Sequence, residues 1–163
     1  MLVNLEQVMS FLPHRDPFLF VDSVESIEVN GVQAKPGDNK DLKEVINSSI
    51  TANYKTKKDH SIFKGHFPDY PILPGVVQVE MMAQCSSFML MAFLENPFDT
   101  KLDVALLSIE NAKFRKPIFP EMDLKVTAKC TKSRGPFMSF SCQIECNGEL
   151  MSEASVMASV KIK

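Results

Sequence analysis

The sequence predicts an α+β protein in which an antiparallel sheet curls around one long buried helix. A mostly apolar segment from about Val76 to Leu94 is long enough for several helical turns. Strand-like segments follow it, and Asn-Gly pairs mark tight hairpins in both halves of the chain. One nearly all-apolar helix among several antiparallel strands is typical of a sheet wrapped around that helix.

The elements before the long helix have recognisable boundaries. NLEQVMSFL, from Asn4 to Leu12, has an asparagine cap followed by apolar residues at helical spacing, which predicts a short amphipathic helix. FLFVDSVESIEVNGVQAKPGD predicts two strands joined at Asn30-Gly31. We interpret the polar, lysine-rich pieces between Asp38 and Lys58 as solvated loop around a short strand from Val45 to Thr51.

The long helix carries too many polar side chains to face lipid. Gln78, Glu80 and Gln84 are spread along it, together with a serine pair. We therefore predict a buried central helix and no membrane span. The remaining strands are predicted from four segments, VALLSIENAKF, MDLKVTAKC, FMSFSCQIEC and ELMSEASVMASVKI. Arg134-Gly135-Pro136 and Asn147-Gly148 separate the later ones.

Size and composition are those of an ordinary globular chain. Its 163 residues suit one domain spanning residues 1–163, with no repeat or linker. The net charge is −2 without acidic or basic blocks, so nothing indicates nucleic acid binding. The four cysteines form no CxxC pair, and the N-terminus lacks the pattern of a signal peptide. We therefore expect reduced, mostly buried thiols and a cytoplasmic location.

The stretch FKGHFPDYPILPGVVQVEMMAQ, from Phe63 to Gln84, combines residues suited to acid–base chemistry. His66 lies in a turn that prolines stiffen, and Pro74-Gly75 starts the helix, where free N–H groups can polarise a carbonyl oxygen. Glu80 follows among valines and methionines, so burial is expected to raise the pKa of its carboxyl and make it a proton donor. Structural roles for both residues, including an ion pair of Glu80 at a subunit contact, remain open at this point.

Three motifs in order along the chain resemble one family. They are LPHRDPFLFVD (Leu12 to Asp22), the stretch from Phe63 to Gln84, and IENAKFRKPIFPEMDL (Ile109 to Leu124). Together they are similar to the β-hydroxyacyl-acyl-carrier-protein dehydratases of the FabZ type. The resemblance implies a hot-dog fold, which is a long helix wrapped by an antiparallel sheet. It also implies a homodimer, usually assembled into a hexamer as a trimer of dimers.

The resemblance also implies a reaction and a role for each site residue. His66 would remove a C2 proton from the acyl thioester, and Glu80 of the other chain would protonate the departing C3 hydroxyl. The Gly75 N–H would bind the thioester oxygen, and Gln84 would steady the Glu80 carboxyl. The implied reaction is reversible dehydration of a (3R)-3-hydroxyacyl chain linked through phosphopantetheine to acyl carrier protein. No metal or redox cofactor is implied.

Some positions depart from the family pattern. Ala105 and Leu106 occupy places where the family usually has an aromatic pair beside the acyl tunnel, and the segment before His66 is longer than usual. His14 and Arg15, in the first motif, are assigned structural roles. Three alternatives are weighed against simple dehydration: a thioesterase, in which a carboxylate activates water, a dehydratase that also isomerises the double bond, and a non-catalytic module that binds acyl thioesters.

Overall fold

Seven antiparallel strands form one sheet in the computed structural model, which describes residues 1–163. The spatial order is β2-β1-β3-β5-β6-β7-β4. The strands are β1 (Ser23–Val29), β2 (Val32–Ala34), β3 (Ser49–Lys55), β4 (Leu102–Phe114), β5 (Asp123–Arg134), β6 (Phe137–Cys146) and β7 (Glu149–Ile162). The helices are α1 (Leu5–Phe11), α2 (Ile62–Gly65) and α3 (Gly75–Ser87), with 3-10 turns at Leu42–Glu44 and Phe88–Ala92.

Helix α3 is the centre of the fold, and its 3-10 extension at Phe88–Ala92 continues the same buried segment. It contacts all of the strands from β3 to β7, so the sheet wraps around it as the hot-dog fold requires. Its buried side chains join one hydrophobic core with the inward faces of the strands. None of the helices combines the length and the apolar character needed to cross a lipid bilayer. The α+β prediction is therefore confirmed.

The short elements follow the signals in the sequence. Helix α1 begins after Asn4, whose side chain accepts from the Gln7 N–H while the Gln7 side chain accepts from the Asn4 N–H. This reciprocal capping box satisfies two N–H groups that the helix itself leaves free. Asn30-Gly31 and Asn147-Gly148 both have positive φ values, as two-residue hairpin turns require.

The predicted boundaries around β3 were wrong. The strand runs over Ser49–Lys55, not Val45 to Thr51, and it lies inside the sheet between β1 and β5. Val45 is buried at the end of a 3-10 turn instead. The strand alternates in the expected way, with Ile50 and Ala52 pointing inward. The lysines on either side of the strand led us to interpret the stretch as solvated loop, although its apolar residues alternate.

The two edges of the sheet are unlike each other. At one edge β2 has three residues, and at the other β4 has 13. Five large apolar side chains of β4 are between 40% and 50% exposed: Val104, Leu106, Leu107, Ile109 and Phe114. A long apolar strand with an unpaired edge is a template for pairing with another chain.

Candidate active site

His66 is held in one orientation by the backbone of its own turn. It ends helix α2, and its Nδ1 lies 2.9 Å from the carbonyl oxygen of Ile72. Because a carbonyl oxygen only accepts hydrogen bonds, Nδ1 must carry the hydrogen. The other ring nitrogen of the neutral imidazole, Nε2, is then an acceptor with a free lone pair. This is the tautomer that a general base needs.

The turn around His66 is fixed by a small set of hydrogen bonds. The His66 carbonyl accepts from the Ile72 N–H at 3.0 Å, and Phe67 and Tyr70 exchange backbone hydrogen bonds in both directions. The His66 ring also stacks on Phe67 with 4.2 Å between ring centroids. The histidine therefore has little freedom, although its side chain remains partly exposed.

The N-terminus of helix α3 opens onto the same pocket as His66. This pocket has a volume of about 300 Å³, and Gly75, Gln78 and Phe114 line it with His66. No hydrogen bond within the chain engages the Gly75 N–H, since the first helical bonds are made by later residues to Pro74. A Cβ at position 75 would lie 2.8 Å from the Phe114 ring, so any larger residue would displace this half-exposed ring from the pocket.

Glu80 lies between two donors from its own chain. Gln84 Nε2 donates to Glu80 Oε1 at 2.8 Å, and His14 Nε2 lies 3.3 Å from the same oxygen. Gln84 is itself fully engaged, because its second amide hydrogen goes to the Phe18 carbonyl and its oxygen accepts from the Phe20 N–H. The Phe20 N–H fixes which end of the Gln84 amide is the oxygen, and thereby fixes the donor to Glu80.

The expected raised pKa of Glu80 was wrong. Burial does raise the pKa of the carboxyl, but hydrogen bonds from His14 and Gln84 and the electrostatic attraction of His14 outweigh it, so the pKa lies below its usual value. The side chain is also 23% exposed. The apolar neighbours in sequence point elsewhere: Val77 and Val79 turn into the core, while Val76 is 79% exposed.

His66 and Glu80 line different pockets of the chain. The Glu80 pocket has a volume of about 290 Å³ and includes His14, Gln84 and Leu106. A small apolar pocket of about 30 Å³ shares Leu106 and three other lining residues with it, and extends between helix α3 and the sheet. The two pockets of His66 and Glu80 have no lining residue in common, and no hydrogen bond or ion pair joins the two side chains.

The structure adds two residues that sequence reasoning missed. His14, which was assigned a structural role, contacts Glu80 directly. Gln78 is buried in the His66 pocket, where its amide nitrogen donates to the Leu73 carbonyl and its Oε1 has no partner. The structural role assigned to Arg15 fits its contacts, because its guanidinium donates to three backbone carbonyls around the end of α1.

Other positions noted in the sequence lie near these pockets. Leu106 lines the Glu80 pocket, whereas Ala105 does not and pairs with Ser159 on β7. Arg115 and Lys116 line the His66 pocket, and each makes an ion pair with a glutamate of β7 or its start.

Comparisons with known proteins agree with the geometry of the fold. A family model described as ApeI-like, an ApeI dehydratase, matches residues 42–155. The chain is 37% identical over 158 residues to the 3-hydroxyacyl-[acyl-carrier-protein] dehydratase FabZ of Bartonella quintana, with 97% of this chain and 90% of that protein covered. It is 31% identical over 163 residues to the FabZ of Rickettsia bellii, with 100% and 99% covered.

Solved structures show the same fold at lower sequence identity. The dehydratase heterocomplex ApeI:P from Xenorhabdus doucetiae has a TM-score of 0.66 at 18% identity, covering 93% of this chain and 89% of that chain. The fluoroacetyl-CoA thioesterase FlK has a TM-score of 0.58 at 12% identity, covering 71% of this chain and 87% of that chain. These structures share the fold with the chain, while the FabZ relatives match nearly its full length above 30% identity. The chain therefore belongs to the hot-dog dehydratases of the FabZ and ApeI-like type.

Proposed function

We propose that the protein dehydrates (3R)-3-hydroxyacyl chains, carried on acyl carrier protein, to trans-2-enoyl thioesters. In this reaction His66 Nε2 takes the C2 proton while the Gly75 N–H binds the thioester oxygen, on which negative charge builds. Glu80 gives a proton to the C3 hydroxyl, which leaves as water as the C2–C3 double bond forms. Both side chains then return to their starting states by exchanging protons with solvent.

One observation carries this proposal. The hydrogen bond from His66 Nδ1 to the Ile72 carbonyl leaves Nε2 as a free base, next to an unengaged N–H at the start of helix α3. A base and an oxyanion donor in one pocket are the two groups that proton removal beside a thioester carbonyl requires. A purely structural histidine would have no need of the free N–H at Gly75.

The complete site would be shared between two copies of the chain. Within one chain, His66 and Glu80 line separate pockets, so the base and the acid do not face the same space. The exposed apolar edge of β4 supplies a surface for a second copy, and residues of this strand line both pockets. Pairing of two β4 edges around a twofold axis would give a homodimer with two equivalent sites.

The lowered pKa of Glu80 bears on its role as an acid. In the single chain the carboxyl is ionised at neutral pH, which would also suit activation of water in a thioesterase. A bound acyl substrate would exclude water from the Glu80 pocket, and such desolvation raises the pKa of a carboxyl. The FabZ relatives favour dehydration, whereas the thioesterase structures share only the fold with this chain.

The charges at the His66 pocket and the state of the cysteines support a carrier protein as substrate carrier and a cytoplasmic location. Arg115 and Lys116 lie at the His66 pocket, where cations would favour an acidic carrier protein and its phosphopantetheine phosphate. All four cysteines are free and buried, which suits the reducing conditions of the cytoplasm.

Replacement of Glu80 by glutamine tests the proposal. Glu80→Gln keeps the shape of the side chain but has no proton to give, so dehydration should fall by about 10²–10⁴-fold. The rate is measured from the absorbance of the enoyl thioester formed from a carrier-linked 3-hydroxyacyl substrate. A parallel assay for free thiol detects thioester hydrolysis.

Glu25→Gln is the matched control, because Glu25 makes only a surface ion pair with Lys125. It should keep the wild-type rate. Wild-type dehydration by Glu80→Gln would contradict the role of Glu80, and release of free thiol without enoyl product would favour a thioesterase.

A further inference from the structure

We infer that His14 is a positioning residue for Glu80: with Gln84 it holds Oε1, so that Oε2 is the oxygen that carries the transferred proton. This inference rests on the proposed function, in which Glu80 acts on the substrate. It assigns a role in the site to a residue of the first motif, far from Glu80 in sequence.

Two donors from different parts of the fold converge on one oxygen of Glu80. Gln84 reaches Oε1 from one helical turn further along α3, and His14 reaches it from the segment that follows α1. No hydrogen bond within the chain reaches Oε2, and this atom is not among the buried polar atoms without a partner. Oε2 is therefore the oxygen of Glu80 that remains open to the pocket.

The surroundings of the His14 ring favour one tautomer. Its Nδ1 is buried without a hydrogen-bond partner, and a buried N–H with no acceptor is costly. A ring with its hydrogen on Nε2 and none on Nδ1 avoids that cost and directs its N–H toward Glu80 Oε1. The separation of 3.3 Å is slightly longer than an ordinary N–H···O hydrogen bond, so the contact is a weak, mainly electrostatic one.

The position of the proton on Glu80 follows from these contacts. Oε1 accepts from Gln84 and faces His14 Nε2 at 3.3 Å, so a proton added to the carboxyl goes to the other oxygen, Oε2. His14 thereby does two things: it fixes the orientation of the carboxyl and stabilises its ionised form. It does not need to touch the reacting atoms to do either.

The backbone around His14 is built to keep the ring in place. Arg15 donates to the carbonyls of Leu12 and His14 at 2.8 and 2.7 Å, and to the Met9 carbonyl at 2.9 Å. Phe11 packs against Phe88 of the central segment, with 5.2 Å between ring centroids. The end of α1 is thus fastened to the core beside Glu80, and His14 approaches the carboxyl from a defined direction.

Few other charges face this carboxyl. Asp103 on β4 and Lys163 after β7 line the same pocket as His14 and Glu80. Both stay unchanged in the variants below, so a difference among those variants reports on position 14.

The test measures the titration of Glu80 directly. In protein labelled with ¹³C at the glutamate side-chain carboxyls, the Glu80 resonance is assigned by its absence from Glu80→Gln. His14→Phe removes the donor, so the pKa of Glu80 should rise above that of the wild type. His14→Asn, which is too short to reach Oε1, should act in the same way, whereas His14→Gln keeps a donor near the Nε2 position and should shift the pKa less.

The pH dependence of the dehydration rate should change in the same His14 variants as the pKa of Glu80. With His14→Phe or His14→Asn the limb of the pH–rate profile that reports Glu80 moves to higher pH, and the maximal rate falls about tenfold or more, as expected for loss of a hydrogen bond to a charged group. His14→Gln should restore part of the rate. His60→Phe is the control, because His60 binds the Pro17 carbonyl in the same region without contacting Glu80. The His60→Phe variant should have a lower thermal stability, but the limb of its pH–rate profile that reports Glu80 should stay at the wild-type pH.

The outcomes separate the inference from the proposed function. An unchanged Glu80 titration in both His14→Phe and His14→Asn overturns the inference. If His14→Phe does not fold, His14→Asn decides the result alone. If the pKa of Glu80 rises in these variants but Glu80→Gln keeps full activity, the role of His14 beside Glu80 is supported and the proposed function is rejected.

Discussion

Within one chain, the Glu80 carboxyl is held by two side chains, whereas some of the polar groups around His66 have no hydrogen-bond partner. Glu80 is oriented by Gln84 and His14 of its own chain, and Gln84 is in turn fixed by backbone groups. His66 has one hydrogen bond on its ring and opens onto a pocket where the Gly75 N–H and the Gln78 oxygen have no partner. The acid half of the proposed site is thus finished within one chain, whereas the base half presents unfilled groups.

The sheet edges show which surface would complete the base half. Phe114, at the end of the long β4 edge, packs on Gly75 in the His66 pocket. The opposite edge, β2, has only three residues and lies far along the strand order from β4. A second chain that pairs with β4 would therefore reach the His66 pocket without changing the contacts that hold Glu80.

Separating the two chains should have the largest effect. Ile109→Lys places a charge in the exposed apolar edge of β4, which should prevent pairing of two edges and give a monomer in sedimentation. Dehydration should then fall by about 100-fold or more, since effective catalysis needs both groups in one place. The titration of Glu80 should remain near that of the wild type, because both of its donors belong to the same chain.

Val32→Lys is the control for this variant, since Val32 is an exposed apolar residue on the other edge of the sheet. It should keep the wild-type assembly and rate. A monomeric Ile109→Lys protein with full activity would mean that one chain holds a complete site.

The sequence predicts the local elements around Glu80 well, but not the ionisation of its carboxyl. The helix, the hairpins and the close pairing of Glu80 with Gln84 follow from periodicity and from helical spacing. The pKa of Glu80 did not, because its direction depends on His14, which reaches the carboxyl through the tertiary packing of α1. Val76 misled for a different reason: it is close to Glu80 in sequence, but helical geometry turns its side chain to the surface.

The β4 edge and β3 show the same limit. The apolar length of β4 is readable in the sequence, yet no local pattern says that both of its faces stay exposed in one chain. The inner position of β3 was hidden by flanking lysines, although the strand itself alternates. The alternation of apolar and polar residues predicts that a strand exists, while its position in the sheet is set by contacts between residues distant in sequence.

Mixing two inactive variants should have an intermediate effect. His66→Ala and Glu80→Gln chains, dissociated and allowed to reassociate, would form dimers with one intact site, and the other site would carry both changes. Random association should recover roughly a quarter of the wild-type activity, by counting sites under twofold symmetry. Mass measurement confirms that mixed dimers formed. Activity that stays at background in such dimers would place both groups of each site in the same chain.

The smallest expected effect is on stability, and it tests whether Glu80 is held within its own chain. The folded pKa of Glu80 lies below its ordinary value of 4.5. The folded state therefore binds this proton less readily than the unfolded state, and ionised Glu80 stabilises the fold above about pH 4.5. As the pH falls through the lower folded pKa, this contribution is lost.

Urea unfolding of the wild type and of Glu80→Gln, at equal protein concentration, measures that contribution as a difference in the free energy of unfolding. Its pH-dependent part should be about 1 kcal/mol or less, because the side chain is partly exposed. In a His14→Asn background this pH-dependent difference in the free energy of unfolding should be smaller, since one of the groups that lower the pKa of Glu80 is gone. In the Ile109→Lys monomer it should persist, because that monomer retains His14 and Gln84. Loss of the pH-dependent part in the monomer would mean that the partner chain, and not His14, sets the ionisation of Glu80.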